Sequence, residues 1–404
     1  MKRDLVAGPR LSESAGAVFA VLAGAGHATR PQLAALAGLS KPTVSAAVAE
    51  LERARLATRS GTAHGATGRS AALYRLGPAA GSVLAIDLGS THTAVRACAL
   101  DGTVLAARTT YGGDSSPTDI TAPTDARPRD TVRAVLDGLE PGSVRAVVIA
   151  VPDVVRDVAG VGPCSAAPVP PAIAITALPA TPAIAAAVAA LDLPPGAAVH
   201  IENNVNCAAL AELHEGAARG RHTFGYLQVG HGIGLGIVVG GQVLRGAGGA
   251  AGEIARLPYP WAQGQDSVLE GMEEYAGAGS LMRRVAAGWT DEDGPAPRDA
   301  AELFALAGDG HATARRYVDT HAREVGRLAA ATTAVLDPGL IVLGGGIGAN
   351  PQLLPGVRAE LARLSWPTEV VGSEVGDSGT VAGAARLAVA GGIQTVTQAA
   401  GAKD

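Results

Sequence analysis

Apolar residues recur at helical spacing in three short blocks near the start of the chain, at Ala15–Leu22, at Arg30–Ala37 and from Lys41 to Arg53. In the third block Val44, Val48 and Leu51 stand at i, i+4 and i+7 and face inward, which leaves Lys41, Thr43, Ser45 and Ala47 toward the other side. Gly38-Leu39-Ser40 makes a tight turn before it. Ser40 is placed to cap the helix, and Pro42 is tolerated because first-turn amides have no intrahelical partner. Leu56–Arg59 and Ala71–Leu76 then read as strands that pair in a hairpin around Ser60–Ser70. Three helices and such a hairpin predict a winged helix-turn-helix over residues 1–80.

From Val83 the pattern changes to buried strands and tight glycine turns. Val83–Asp87 predicts a strand, Gly89-Ser90-Thr91 a loop, and Thr93–Leu100 with Thr103–Arg108 a hairpin whose Asp101-Gly102 signals a type I′ turn. The same unit recurs about 140 residues later: Thr223–Val229, the loop Gly230-His231-Gly232, then Ile233–Val239 and Gln242–Arg245 around Gly240-Gly241. The recurrence predicts a duplicated α/β body with a cleft between the copies. Ala146–Val151 reads as a further strand and Pro163–Pro182 as loop, while Asn206–Ala218, Ala314–Leu336 and Gly379–Ala390 read as helices. The expected domains are 1–80, then a first lobe of 81–204 plus 380–404, and a second lobe of 205–379.

Charge sharpens the division. The first 80 residues hold ten Lys/Arg against four Asp/Glu, a net of +6, so a chain of net −5 leaves −11 for the rest. A basic head on an acidic body suggests a nucleic-acid module joined to a sensing one. No run approaches the apolar length of a bilayer span, and Met1–Arg10 lacks the apolar centre of a signal peptide, so the expected location is the cytoplasm. Cys98, Cys164 and Cys207 are far apart and odd in number, which indicates neither a disulfide framework nor a cysteine-ligated zinc site.

After the helix-turn-helix come Asp87-Leu-Gly-Ser-Thr91, Glu202-Asn-Asn-Val-Asn206, Gly232-Ile-Gly-Leu-Gly236, Gly252-Glu-Ile254 and Leu343-Gly-Gly-Gly-Ile347. In that order, and over nearly the whole chain, they resemble the ROK group of repressors and sugar kinases within the sugar-kinase/actin superfamily. The resemblance implies an α/β protein, a winged helix-turn-helix followed by a duplicated actin-like, ribonuclease H-like sugar-kinase fold with an interlobe cleft. It implies that Asp87, Gly89, Ser90, Thr91, Gly232 and Gly234 descend from loops that hold metal-bound phosphates, where glycine lets backbone N–H groups approach the anion. Gly344–Gly346 either lets a nucleotide base lie against the backbone or serves a close helix–strand crossing.

Several positions depart from the family. Its kinases carry Asn-Asp where this chain has Asn203-Asn204, and that Asp takes the proton from the sugar hydroxyl, which an amide cannot do. His231 stands in place of a phosphate-loop Thr, and Ala255-Arg256 follow Glu253 where the family continues into a zinc-binding cysteine cluster. Ala150-Val-Pro-Asp153 replaces a Gly-x-Pro-Gly loop. The sugar-facing positions are better kept: Asn203, Glu253 and Glu273 match residues that hydrogen-bond sugar hydroxyls, and an amide with two carboxylates suits vicinal hydroxyls. Asn204 and Arg256 complete the expected ligand set, with Arg256 suited to an anionic ligand.

In the head, Lys41, Thr43 and Ser45 stand at the start of the recognition helix and Arg69 in the wing is suited to a minor groove. The combined expectation is a repressor that reads a palindromic operator in double-stranded DNA as a homodimer or dimer of dimers. Its body binds a carbohydrate or sugar-phosphate effector, with no catalytic residue, no metal, no cofactor and no membrane partner. Two alternatives stay open: an ATP-dependent, glucokinase-like sugar kinase with a regulatory head, and a repressor controlled by a protein partner.

Overall fold

The computed structural model describes residues 11–64, 70–112, 127–140, 142–157, 177–260, 266, 268 and 271–398. These fall into two compact units: one holds the described residues up to 202 together with 384–398, and the other holds 203–383.

The first unit opens with α1 (Glu13–Ala25), β1 (His27–Thr29), α2 (Arg30–Ala37), α3 (Lys41–Arg53), β2 (Ala57–His64) and β3 (Ser70–Leu76), the strands forming one sheet in the order β1-β3-β2. Ser12 caps α1, and its amide and hydroxyl both donate to the Glu50 carboxylate, each at 2.7 Å, which pins α1 to α3. Ser40 caps α3 through the Thr43 amide as the sequence predicts. Val44, Val48 and Leu51 are buried, but so is Ala47 at 1% exposure, against expectation. Because α3 packs on both α1 and α2, its buried face is wider than a single i, i+4, i+7 seam.

The passage into the body is a built joint. Pro78–Ala80 form a short 3₁₀ turn, and Ala79 N and Gly77 N donate to the carbonyls of Arg55 and Leu56. From the other side Arg145 donates to the carbonyls of Ala79 at 2.7 Å and Ala80 at 3.2 Å. Gly81, at φ +87°, is required here: a Cβ would stand 2.4 Å from the Ser143 carbonyl oxygen.

Beyond the joint come β4 (Ser82–Leu88), β5 (His92–Ala99), β6 (Val104–Tyr111), α4 (Arg127–Leu136), β7 (Val144–Val151), β8 (Val155–Asp157), β9 (Ala177–Pro179), α5 (Pro182–Ala189) and β10 (Ala198–Asn203). Five of the strands form a sheet in the order β10-β7-β4-β5-β6. Only Gly102 has positive φ in the β5–β6 turn, and the Ala99 amide bonds the Thr103 carbonyl, so the turn is a three-residue loop rather than type I′. Residues 163–176 of the stretch expected as loop lie outside the described residues, while its end supplies β9 and, with Pro182 in the first turn, α5.

The second unit contains α6 (Asn204–Glu215), β11 (Phe224–Val229), β12 (Ile233–Val239), β13 (Gln242–Val243), α7 (Gly271–Ala276), α8 (Ala278–Gly288), α9 (Ala300–Gly308) and α10 (Ala312–Leu336). It continues with β14 (Leu340–Gly344), α11 (Gly345–Gly348), α12 (Leu354–Leu364), β15 (Glu369–Gly372) and the start of α13 (Gly379–Gln398). Its sheet runs β13-β12-β11-β14-β15. The duplication is plain in the pairings: β4 lies between antiparallel β5 and parallel β7, as β11 lies between antiparallel β12 and parallel β14.

Two close approaches fix α10 against α12, since a Cβ on Gly326 would meet Glu360 Cβ at 2.7 Å and one on Gly356 would meet Ala322 Cβ at 2.6 Å. Above that crossing the Glu360 carboxylate accepts from Arg363 and Arg327, and these hydrogen bonds, Arg363's first, hold its pKa down to about 2 from 4.5. A depressed carboxylate contributes stability that is present above pH 4.5 and lost as pH falls toward 2. Both guanidinium groups face solvent, so Glu360→Gln should remove at most about 1 kcal/mol at neutral pH and flatten that part of the acid limb in pH-dependent urea unfolding. At the joint, Arg145→Ala should cost about 1–3 kcal/mol and speed amide exchange at residues 79–82, read by mass spectrometry.

Candidate functional site

The predicted sugar-facing residues of the second unit are organised by β12. Gly234 and Gly236 let α6 lie directly on the strand: a Cβ at 234 would meet Val205 Cγ2 at 2.7 Å, and one at 236 would meet Ala209 Cβ at 2.7 Å. Between them, Leu235 N donates to the Gly252 carbonyl at 3.0 Å, and a Cβ on Gly252, at φ +88°, would stand 1.8 Å from the Leu235 oxygen. Thus α6 and the Gly252-Glu253 turn meet the same short stretch of strand.

At the head of α6, Asn203 is the N-cap, its Oδ1 accepting from Val205 N at 2.8 Å and Asn206 N at 3.1 Å. That fixes its amide nitrogen, which donates to Glu253 Oε1 at 3.5 Å. Asn204, the next residue, is half-buried in the first turn. Glu273 lies at the start of β12, where its Oε2 accepts from Ile233 N at 3.3 Å and stands 3.3 Å from where a Gly232 Cβ would be. Asn203 and Glu253 are therefore in direct contact, Glu273 bonds the strand residue next to Gly234, and Arg256 is exposed. The far end of α6 is held by Glu212, a fully buried carboxylate that accepts from Ser373 Oγ, from Ala217 N at 2.7 Å and from Val375 N at 3.3 Å. No periodicity marks that residue in the sequence.

Each loop expected to hold phosphate is met by a side chain of the chain itself. Asp87 ends β4 at 3% exposure; burial raises its pKa although a hydrogen bond and the charge of His92 act the other way. His92 Nε2 is 3.3 Å from Asp87 Oδ2, with Gly89 beneath the ring and Thr91 beside it. At Gly344 a Cβ would stand 2.0 Å from the Tyr226 hydroxyl oxygen, which supports close packing of β11 and β14 as the reason for that glycine. Asp153, in the altered loop of the first unit, is engaged by the Val154 amide at 2.8 Å and the Thr181 amide at 2.6 Å, so its carboxylate ties the strand end to the start of α5.

Beyond the Gly252-Glu253 turn, where the resemblance implied a departure from a cysteine cluster, the chain places an aromatic pair. Tyr259 bridges Val268 and lies face to face with Tyr275 at 4.2 Å between ring centroids. Arg284 lies 5.8 Å from the centre of the Tyr275 ring and bonds Glu324. Among the described residues no group of three or more His, Cys, Asp or Glu is placed to hold a metal ion.

On the winged helix, Lys41 is exposed at the first turn of α3, Thr43 is half-buried with its Oγ1 2.8 Å from Ser40 Oγ, and Ser45 is half-buried. Arg69 lies outside the described residues. The sequence reading missed what shapes the wing. Tyr74 is fully buried in β3, with Arg30 of α2 at 5.3 Å and Arg59 of β2 at 5.9 Å from its ring centre. Glu52 of α3 lies 3.9 Å from Arg30 and 3.6 Å from Arg59. The arginines and the ring meet only after the chain folds, so spacing gives no hint of them.

The sequence profile of the ROK family matches residues 83–390, and that of the MarR family matches residues 11–70. The bifunctional enzyme NanE/NanK of Brucella melitensis is 33% identical over 196 residues, 48% of this chain, and the chain spans 36% of that enzyme's length. A solved ROK family transcriptional regulator, described as a homolog of the E. coli MLC protein, shares the fold with a TM-score of 0.67 at 21% identity, over 95% of this chain and 96% of that one. The ROK hexokinase from Thermus thermophilus has a TM-score of 0.54 at 26% identity, over 76% of this chain and 97% of that one. No helix among the described residues is long and apolar enough to cross a membrane.

The aromatic centre of the wing gives a paired test. Tyr74→Ala should cost about 3–5 kcal/mol in urea unfolding, as large-to-small core changes do. Tyr74→Phe should be close to neutral, because the buried Tyr74 hydroxyl has no hydrogen-bond partner to lose.

Proposed function

The chain belongs to the ROK family, and we propose that it is a DNA-binding transcriptional regulator, a repressor, whose kinase-like body binds a sugar or sugar phosphate instead of phosphorylating one. The reading is carried by one pairing of observations. The winged helix-turn-helix presents an exposed Lys41, while the Asn203–Glu253 pair expected to face a sugar sits beside an amide at 204. A positioned carboxylate base is worth about 10²–10⁴ in rate, so the amide favours binding over turnover. We place the protein in the cytoplasm as a homodimer or dimer of dimers on a palindromic operator, since winged helices of this kind read half-sites a helical turn apart. The sugar-kinase names of relatives favour a second reading, a kinase with a DNA-binding head, which the amide at 204 opposes.

Fluorescence anisotropy with the chain's own upstream region tests the regulator. Operator DNA should bind at least about 10³-fold more tightly than random DNA, with affinity falling steeply in salt, and Lys41→Ala should weaken it. The inducing sugar, found by thermal-shift screening, should lower operator affinity about 5–150-fold. Glu253→Ala should keep operator binding and lose that response. No preference for the upstream region would sink the regulator, and hexose phosphorylation by ATP at about 1–100 turnovers per second would restore the kinase.

A further inference from the structure

The glycine loop after β4 is occupied from within. A Cβ on Gly89 would stand 3.3 Å from both Cε1 and Nδ1 of His92, so the imidazole lies directly over the glycine that an anion would approach. The ring is held on three more sides: Nδ1 is 3.2 Å from Thr91 Oγ1, Nε2 is 3.3 Å from Asp87 Oδ2, and the Tyr111 ring centre is 5.9 Å away. The other carboxylate oxygen, Asp87 Oδ1, is buried and has no hydrogen-bond partner. Swinging the imidazole out would leave a desolvated carboxylate with still less to answer it, which is costly in a buried setting.

A metal-bound phosphate needs these same groups, a carboxylate for the cation and open backbone over glycine for the anion. The residues present therefore do not fit it. We infer that His92 decides what this loop accepts: it fills the seat of the metal-bound phosphate over Gly89 and so bars a metal–nucleotide complex from Asp87. Exclusion by a built-in occupant is a form of specificity, and here it uses a side chain that follows the loop directly in sequence. The inference stands apart from the regulatory reading, since it concerns ligand exclusion in the first unit and holds whether or not the chain binds DNA.

Mn²⁺-ADP is the probe, added to the full chain and followed by calorimetry and by paramagnetic broadening of the imidazole resonances. The unmodified protein should show no saturable binding below about 1 mM. His92→Gly should gain a site at least about tenfold tighter, and adding Asp87→Asn should remove it again. Equal binding by the unmodified and His92→Gly proteins overturns the inference, and so does a His92→Gly protein of unchanged melting temperature that gains nothing. Should His92→Gly not fold, the unmodified protein decides: selective broadening of the His92 resonances at micromolar probe would put a metal at Asp87 despite the ring and overturn it, and their persistence supports it.

Discussion

The close approach of α6 to β12 is the constraint on which the candidate site depends. Two glycines on the strand, Gly234 and Gly236, remove the side chains that would hold the helix away, and Val205 and Ala209 fill the space. With the helix that near, its N-cap is placed by the strand rather than by a loop, and Asn203 cannot move without giving up two backbone amides. Gly252 meets the strand between those glycines, so Glu253 is fixed by the same contact. A substitution of either strand glycine would push on α6 and so on Asn203 at its head, although Asn203 itself would not be altered.

A second regularity links the departures from the kinase pattern. Polar groups need partners once buried, because a desolvated donor or acceptor without one costs about 1–3 kcal/mol. The chain supplies those partners itself: His92 at Asp87, Glu273 at the Ile233 amide, and two backbone amides at Asp153. Tyr259 and Tyr275 stack on each other at 4.2 Å between ring centroids. His92 and Asp153 are thus tied to their surroundings by specific neighbours, while the second oxygen of Asp87 stays unmatched.

Much of this was legible in the sequence where a local rule governs. The ends of α2 and α3 follow from Ser40, Pro42 and helical spacing, and the repeat of strand, glycine loop and hairpin showed in the residues before any coordinates. What escaped has a common cause. Ala47 is buried because α3 has two neighbours, the β5–β6 turn takes its form from a single positive φ, and α5 was hidden in a Pro/Ala-rich stretch whose composition suits a loop equally. Tyr74 with its arginines, Glu212 and Arg145 act across the fold, between residues far apart in sequence, where no periodicity points. Asn203, Glu253 and Glu273 were found through family motifs, and His92 was passed over although it is the next residue after the glycine loop.

The joint between the winged helix and the body decides how freely the two can reorient. A flexible linker would let the winged helix reorient freely, and a displacement in the body would be absorbed before it reached α3. Here the connection is held from both sides: Arg55 and Leu56 carbonyls accept from the head side, Arg145 of β7 donates from the body, and Gly81 is pressed against Ser143. The end of α13 adds a second attachment, since the Thr397 side chain lies 3.6 Å from where a Cβ on Gly16 of α1 would be. Ser12 and Glu50 then bind α1 to α3. Head and first lobe are accordingly joined by short hydrogen bonds and packed backbone on both sides of the Pro78–Ala80 turn rather than by a bare tether.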